Sequence, residues 1–176
     1  MKVVFPFHTD IKKLKFGNAP VEEFIEGGIH EDKLEDKRIF YVVQPNCLKE
    51  TGDRKQFKIG MSNSPKVRLT DYYNHYGKHN SNNKCSGVNV KLILSTNKGD
   101  DKDADLTTPH YSVSKVEKKL KDYFKETGKV DRGTEWLLVG ADTLRNNIQK
   151  ALKGSMTDTI THSSHATRSR MSLRPK

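Results

Sequence analysis

A change of hydrophobic period along the chain predicts an α/β fold with about four strands. Residues 38–44, Arg-Ile-Phe-Tyr-Val-Val-Gln, are an almost unbroken β-branched and aromatic run, the signature of a strand buried on both faces. Residues 55–61, Lys-Gln-Phe-Lys-Ile-Gly-Met, alternate polar and apolar, the period of a strand with one face covered. From Ser64 onward the apolar spacing lengthens to three and four residues, then alternates with two more short apolar runs.

The elements follow in order. Residues 1–37 read as a polar lead-in with one short helix, where Asn18-Ala-Pro-Val-Glu-Glu supplies a cap, a first-turn proline and early acidic residues. Val21, Phe24 and Ile25 would dock that helix on the domain, and Gly27-Gly28 would stop it. The domain itself spans 38–153. Pro45, Asn46, Gly52 and Asp53 lie between the first two strands and predict an antiparallel hairpin with a long loop. Ser64-Pro65 opens a helix that runs to about Tyr76 and ends before Gly77. Val88–Thr96 is a third strand, and a helix opened by Ser112 or Ser114 ends at Gly128. Thr134–Val139 is a last strand carrying the only tryptophan, and Leu144, Ile148 and Leu152 mark a final amphipathic helix. Residues 154–176 are a basic, Ser/Thr-rich tail whose composition predicts disorder and non-specific attraction to nucleic acid.

The composition narrows the partner. Lys and Arg number 32 against 22 Asp and Glu, a formal charge of +10. Such a surplus favours a polyanion, with nucleic acid ahead of an anionic membrane surface, over a merely soluble basic protein. No apolar run approaches the roughly 20 residues that span a bilayer, and the apolar start Val3-Val4-Phe5 ends too early for a signal peptide. The two cysteines, Cys47 and Cys85, have no Cys or His partner at zinc spacing. They leave a disulfide open, and a reducing, intracellular setting is the expectation. The histidines read as solvated, with His75 and His79 near enough to a basic loop to touch phosphate.

Two helices carry the chemistry. Glu117 falls at i+4 in a stripe with Val113, Leu120 and Phe124, where another apolar residue is expected. A carboxylate there must be paired, protonated or bound to a cation, because burying it alone is costly. On the earlier helix Leu69, Tyr73 and Tyr76 form a stripe able to pack on the sheet, while Arg68 and Tyr72 form an adjacent one pointing elsewhere. An arginine held there suits bidentate phosphate binding, against the plainer reading of a surface ion pair. Glu117 has its own plainer reading, an ion pair with Lys58 or Arg68 and no metal. Glu135 reads as a structural partner at the sheet end.

In this order the motifs resemble those of the GIY-YIG nuclease superfamily, in the branch whose second motif reads KIG and which is common in phages and large DNA viruses. Ile39-Phe40-Tyr41 stands for the first motif, Lys58-Ile59-Gly60 for the second, Arg68 and Tyr72 for the helix signature, Glu117 for the helix glutamate and Glu135-Trp136 for the closing element. The resemblance covers residues 38–139. Ile39 replaces the usual first glycine, and Lys58 stands where many members have a second tyrosine.

The resemblance implies a small sandwich, a central, mostly antiparallel sheet flanked by helices. It also implies metal-dependent hydrolysis of DNA phosphodiester bonds by a virus- or phage-encoded enzyme. Glu117 would hold a single Mg²⁺, Arg68 would stabilise charge on the phosphoryl oxygens, and Tyr41 would be the general base. Lys58 and Arg68 would favour its phenolate, and Tyr72 completes the catalytic set. Lys66, His75, Lys78, His79 and Lys84 are the candidate nucleic-acid contacts. The alternative is a non-cleaving nucleic-acid-binding module on the same fold, which has no use for a carboxylate facing phosphates. A third reading is an interaction protein in which Glu117 only pairs with lysine. The substrate stands open between DNA and RNA. A monomer is expected, with specificity either low or supplied by a protein partner, and no membrane is involved.

Overall fold

In the computed structural model the described residues are 2–6, 10–26, 34, 37–47, 52–77, 85–97, 112–133 and 135–154. The tail beyond residue 154 and the candidates Lys78, His79 and Lys84 lie outside them.

The strand expected to be central is central. Strand β3 (Lys37–Pro45) pairs with β4 (Arg54–Ser62) on one side and β5 (Val88–Asn97) on the other, both antiparallel. Its alternate residues enter two different cores, which is why its sequence shows little polar alternation. Phe40 and Val42 join Phe57, Ile59, Leu92 and Leu94 on one face. Ile39, Tyr41 and Val43 join Val90 and Ile93 on the other.

The sheet is wider than the four strands expected. Among the described residues it has seven, in the order β1-β5-β3-β4-β7-β6, with β2 also on β5. The additions are β1 (Lys2–Phe5) and β2 (Ala19–Pro20), both paired antiparallel with β5, and β6 (Val130–Arg132), paired antiparallel with β7 (Trp136–Gly140). Residues 1–37 are therefore not only a lead-in: they supply two strands, and Val4, Phe5, Ala19, Val21 and Phe24 are buried with Tyr41.

Helices cover both faces. On one lie α3 (Val113–Glu126) and α4 (Ala141–Leu152), with Val113, Val116, Leu120, Phe124, Leu144 and Ile148 fully buried. Ser112 caps α3, its hydroxyl accepting from the Lys115 N–H at 3.2 Å. On the other face lie the short α1 (Glu22–Ile25) and α2 (Pro65–Tyr72), which continues as a π-helical turn over Tyr73–Gly77. Among the described residues no helix is long and apolar enough to cross a membrane.

The question left open at the cysteines is answered by the sheet. Cys47 follows β3 and Cys85 precedes β5, and the two strands are still paired at Pro45 and Val88. Their sulfurs are bonded, with the Cα atoms 4.4 Å apart. Beside them the Asn46 N–H donates to the Gly87 carbonyl and the Asn89 amide to Asn46 Oδ1, each at 2.9 Å.

Candidate active site

The site begins at a glycine. Tyr41 and Gly60 face each other across the β3–β4 ladder, and a Cβ on Gly60 would overlap the Tyr41 hydroxyl and ring. The missing side chain is the space in which the phenol lies. Tyr41 is 2 % exposed and Tyr72 6 %. Their hydroxyls are 2.9 Å apart and their rings meet edge to face at 5.6 Å.

This placement corrects the helix reading. Tyr72 does not share an exposed stripe with Arg68; it is buried with Leu69 against the sheet, and Tyr73 is only partly covered. Leu69 and Tyr72 are three residues apart in regular α-helix and so share a face. Beyond them Tyr76, in the π-helical turn, stacks on Tyr72 at 6.4 Å with 20° between the ring planes. Tyr76 then meets Trp136 edge-on at 6.0 Å.

Arg68 stays at the rim, with its side chain 47 % exposed and its guanidinium 3.8 Å from Asp71. That pair is long and solvated and restrains the arginine little. Beside it lies a polar cleft of about 280 Å³ lined by Ser62, Asn63, Ser64, Arg68 and Asp71. Asn63 is held there by Arg38, whose Nε donates to Asn63 Oδ1 at 2.6 Å and whose Nη1 donates to Ser114 Oγ at 3.4 Å. Lys66 and His75 are exposed on the same helix and its π-helical extension, and the His75 ring lies edge-on to Tyr76 at 4.5 Å.

Glu117 is at the edge of the buried stripe of α3, not inside it. The stripe is Val113, Val116, Leu120 and Phe124, so Val116 fills the place expected for position 117. The Glu117 side chain is 15 % exposed, and its Oε1 is 3.0 Å from Lys121 Nζ, one turn on. Lys121 reaches Glu135 Oε1 as well, at 2.9 Å, and Lys58 Nζ binds the other oxygen of Glu135, also at 2.9 Å. Neither Lys58 nor Arg68 is the partner expected for Glu117; Lys121 is. The four side chains form a chain that passes from α3 around the start of β7 to the Tyr41 face. There β7 pairs with β4 from Arg54 to Lys58, and the Ile59 N–H donates to the Glu135 carbonyl at 3.0 Å, which fixes Glu135 beside β4.

The electrostatics follow from this arrangement. Burial pushes the Tyr41 phenol above its ordinary value, opposed by the hydrogen bond with Tyr72 and the positive charge of Arg68. Glu135 and Glu117 add to the rise, so all three charged groups act on this hydroxyl. Tyr72 is pushed up further, by burial first and then by Tyr41. Burial thus favours the neutral form of both hydroxyls, which share one hydrogen bond. Burial opposes the charge on Glu135, yet hydrogen bonds from Lys121 and Lys58 outweigh it and hold the carboxyl below its usual range. Lys58 is thus engaged by Glu135 and by the Trp136 ring, 5.1 Å from its ammonium. Arg68 is the cation whose charge lowers the Tyr41 phenol.

A divalent cation would have Glu117 as its protein ligand. The donor set is hard oxygen, and the Lys121 ammonium already stands as a cation against it. Among the described residues there is no group of three or more His, Cys, Asp and Glu, so the other ligands would be water and substrate. Sequence reasoning left out Lys121 and gave Glu135 only a structural part. The i, i+4 spacing of Glu117 and Lys121 was the available signal.

No family model, curated protein or solved structure matches the chain.

Proposed function

We propose that this protein is a metal-dependent endonuclease that hydrolyses nucleic-acid phosphodiester bonds, with DNA as its first substrate, at the site built around Tyr41. One observation carries the reading: a buried tyrosine hydroxyl, in contact with that of Tyr72, lies under the combined influence of Arg68, Glu135 and Glu117. Phenol, guanidinium and carboxylate are the groups that a phosphodiesterase needs for proton removal, oxyanion stabilisation and cation binding. The motif resemblance to GIY-YIG nucleases supports the same assignment.

Arg68, flexible at the rim of the cleft, turns from Asp71 to the non-bridging oxygens of the scissile phosphate, where it opposes the growing charge. Tyr41 accepts the proton of the attacking water as a phenolate, stabilised by the hydrogen bond that Tyr72 donates. The water oxygen bonds to phosphorus, one ester P–O bond breaks, and the leaving alkoxide takes a proton from solvent. A divalent cation at Glu117, most simply Mg²⁺, supplies Lewis-acid polarisation of the phosphate. Glu135 anchors Lys58 and Lys121 and so positions the wall of the site.

A second reading is favoured by a specific contact. Lys121 already neutralises Glu117, as a non-cleaving nucleic-acid-binding module would require. Nicking of supercoiled plasmid with and without Mg²⁺, by wild type and Glu117→Ala, separates the two. Metal-dependent nicking that is lost in the variant supports the nuclease. Salt-sensitive binding by both proteins without nicking by either supports the binding module.

A further inference from the structure

The geometry points to Lys121 as an internal competitor for the cation at Glu117, a residue that ties metal entry to the arrival of a substrate phosphate. The inference rests on the reading of Glu117 as a metal ligand. Lys121 Nζ lies 3.0 Å from Glu117 Oε1 and 2.9 Å from Glu135 Oε1, so one ammonium is clamped between two carboxylates. Its side chain is only 23 % exposed and that of Glu117 15 %, so solvent screens the pair weakly. A hard divalent ion binds a carboxylate oxygen at about 2.1 Å. It cannot share Glu117 Oε1 with an ammonium already in contact there, because the two positive charges would be close neighbours in a poorly solvated place.

The two carboxylates differ in what they lose when Lys121 leaves. Glu135 keeps Lys58 on its second oxygen at 2.9 Å. Glu117 has Lys121 as its contacting cation among the described residues. Displacement therefore frees the proposed metal ligand while the Lys58–Glu135 tie to β7 remains. The released ammonium, on a flexible four-carbon stem, needs a new anion, and the substrate phosphate brought in by Arg68 is the one this site would hold. Metal and phosphate then favour each other's binding, and the protein alone binds the metal weakly.

The test titrates Mn²⁺ alone into the full chain and reads free Mn²⁺ by electron paramagnetic resonance. Wild type, Lys121→Met, Lys121→Gln and Glu117→Gln are compared, each with and without a phosphorothioate oligonucleotide that resists cleavage. Circular dichroism melts establish folding, and the Gln variant, which can keep a hydrogen bond to Glu135, replaces Met if Met does not fold. Removal of the ammonium is expected to tighten Mn²⁺ binding at least about tenfold, the scale on which residues behind a metal ligand act. The oligonucleotide is expected to tighten Mn²⁺ binding by wild type more than by the variants. Glu117-dependent binding by wild type that is not tightened in either Lys121 variant overturns the competition and leaves the metal assignment standing. Absence of Mn²⁺ binding in wild type and both Lys121 variants overturns both.

Discussion

As the proposed base, Tyr41 lies in a place that disfavours its charged form. Burial raises its phenol and Arg68 only partly offsets the rise, so near neutral pH the phenolate is a minority species. Cleavage is therefore expected to increase with pH from about 7 to 9 with a logarithmic slope near one, levelling only above the ordinary phenol value of about 10. A profile flat across that range would remove Tyr41 from the role of base. Tyr41→Phe is expected to abolish nicking, to leave DNA binding largely intact, and to lower stability by about 1 kcal/mol, the usual scale for one lost hydrogen bond. Binding isotherms and urea unfolding of the same preparations test the three effects together. The stability linkage has the opposite sign to the rate. Both phenols titrate higher when folded than when unfolded, so their neutral pair contributes stability that is complete below about pH 10 and is lost as pH rises through the folded values. An ultraviolet titration in which these two tyrosines ionise as early in the native protein as in urea would contradict the buried hydroxyl pair.

At the scale of elements, the site depends on what β4 leaves out. Gly60 has no side chain, so a phenol from β3 lies over β4, and the backbone hydrogen bond from Ile59 to Glu135 holds the chain of ions from α3 beside the same strand. Gly60→Ala puts a methyl group into the Tyr41 ring, and the expected outcome is loss of nicking with about 1–3 kcal/mol of overpacking cost, read by thermal melts. A stable, active Gly60→Ala protein would mean that Tyr41 does not lie where the strand pairing puts it. The elements differ in how plainly the sequence announced them. Strand β3 was legible because burial on both faces leaves an unbroken apolar run, and Ser64 and Ser112 were legible as helix starts because capping is local chemistry. Asn18 is not the cap expected for α1: Ala19–Pro20 pairs as strand β2 and the helix follows Val21, so pairing with β5 overrides the local signal. Strands β1 and β6 were not legible, since Lys2–Phe5 and Val130–Arg132 are too short to establish a period and become strands only through the neighbours they pair with. The inward turn of Tyr72 was hidden as well, because Tyr72 is one turn from both Arg68 and Leu69 and its spacing alone assigns it to neither stripe. Arg68, Tyr41 and Glu117 were singled out by motif order. The linkage of Glu117 to Lys58 through Lys121 and Glu135 joins different elements, and only its Glu117–Lys121 step has a spacing along the chain that encodes it.

The molecule as a whole carries a charge of +10. The four-residue chain Lys58–Glu135–Lys121–Glu117 is neutral in itself, two ammoniums against two carboxylates, so the surplus that attracts a polyanion lies elsewhere. Among the described residues α2 presents two exposed cations, Lys66 and Arg68. Binding to DNA should then weaken with salt, the logarithm of the affinity falling by roughly 0.9 per logarithmic unit of salt for each phosphate neutralised. Lys66→Ala and Arg68→Ala should each reduce that slope by about one, because each removes a single phosphate contact. Glu117→Ala should leave the slope no smaller than in wild type, since it removes a negative charge from the same surface. Fluorescence anisotropy with a short duplex across a salt series measures all four slopes. If the Arg68 and Lys66 variants keep the wild-type slope, the polyanion is held on another face of the molecule and α2 is not its docking helix. If only Arg68 loses a unit, the contact surface is confined to the cleft beside Ser62 and Asn63, and the nucleic acid enters along β4 rather than across the outer face of α2.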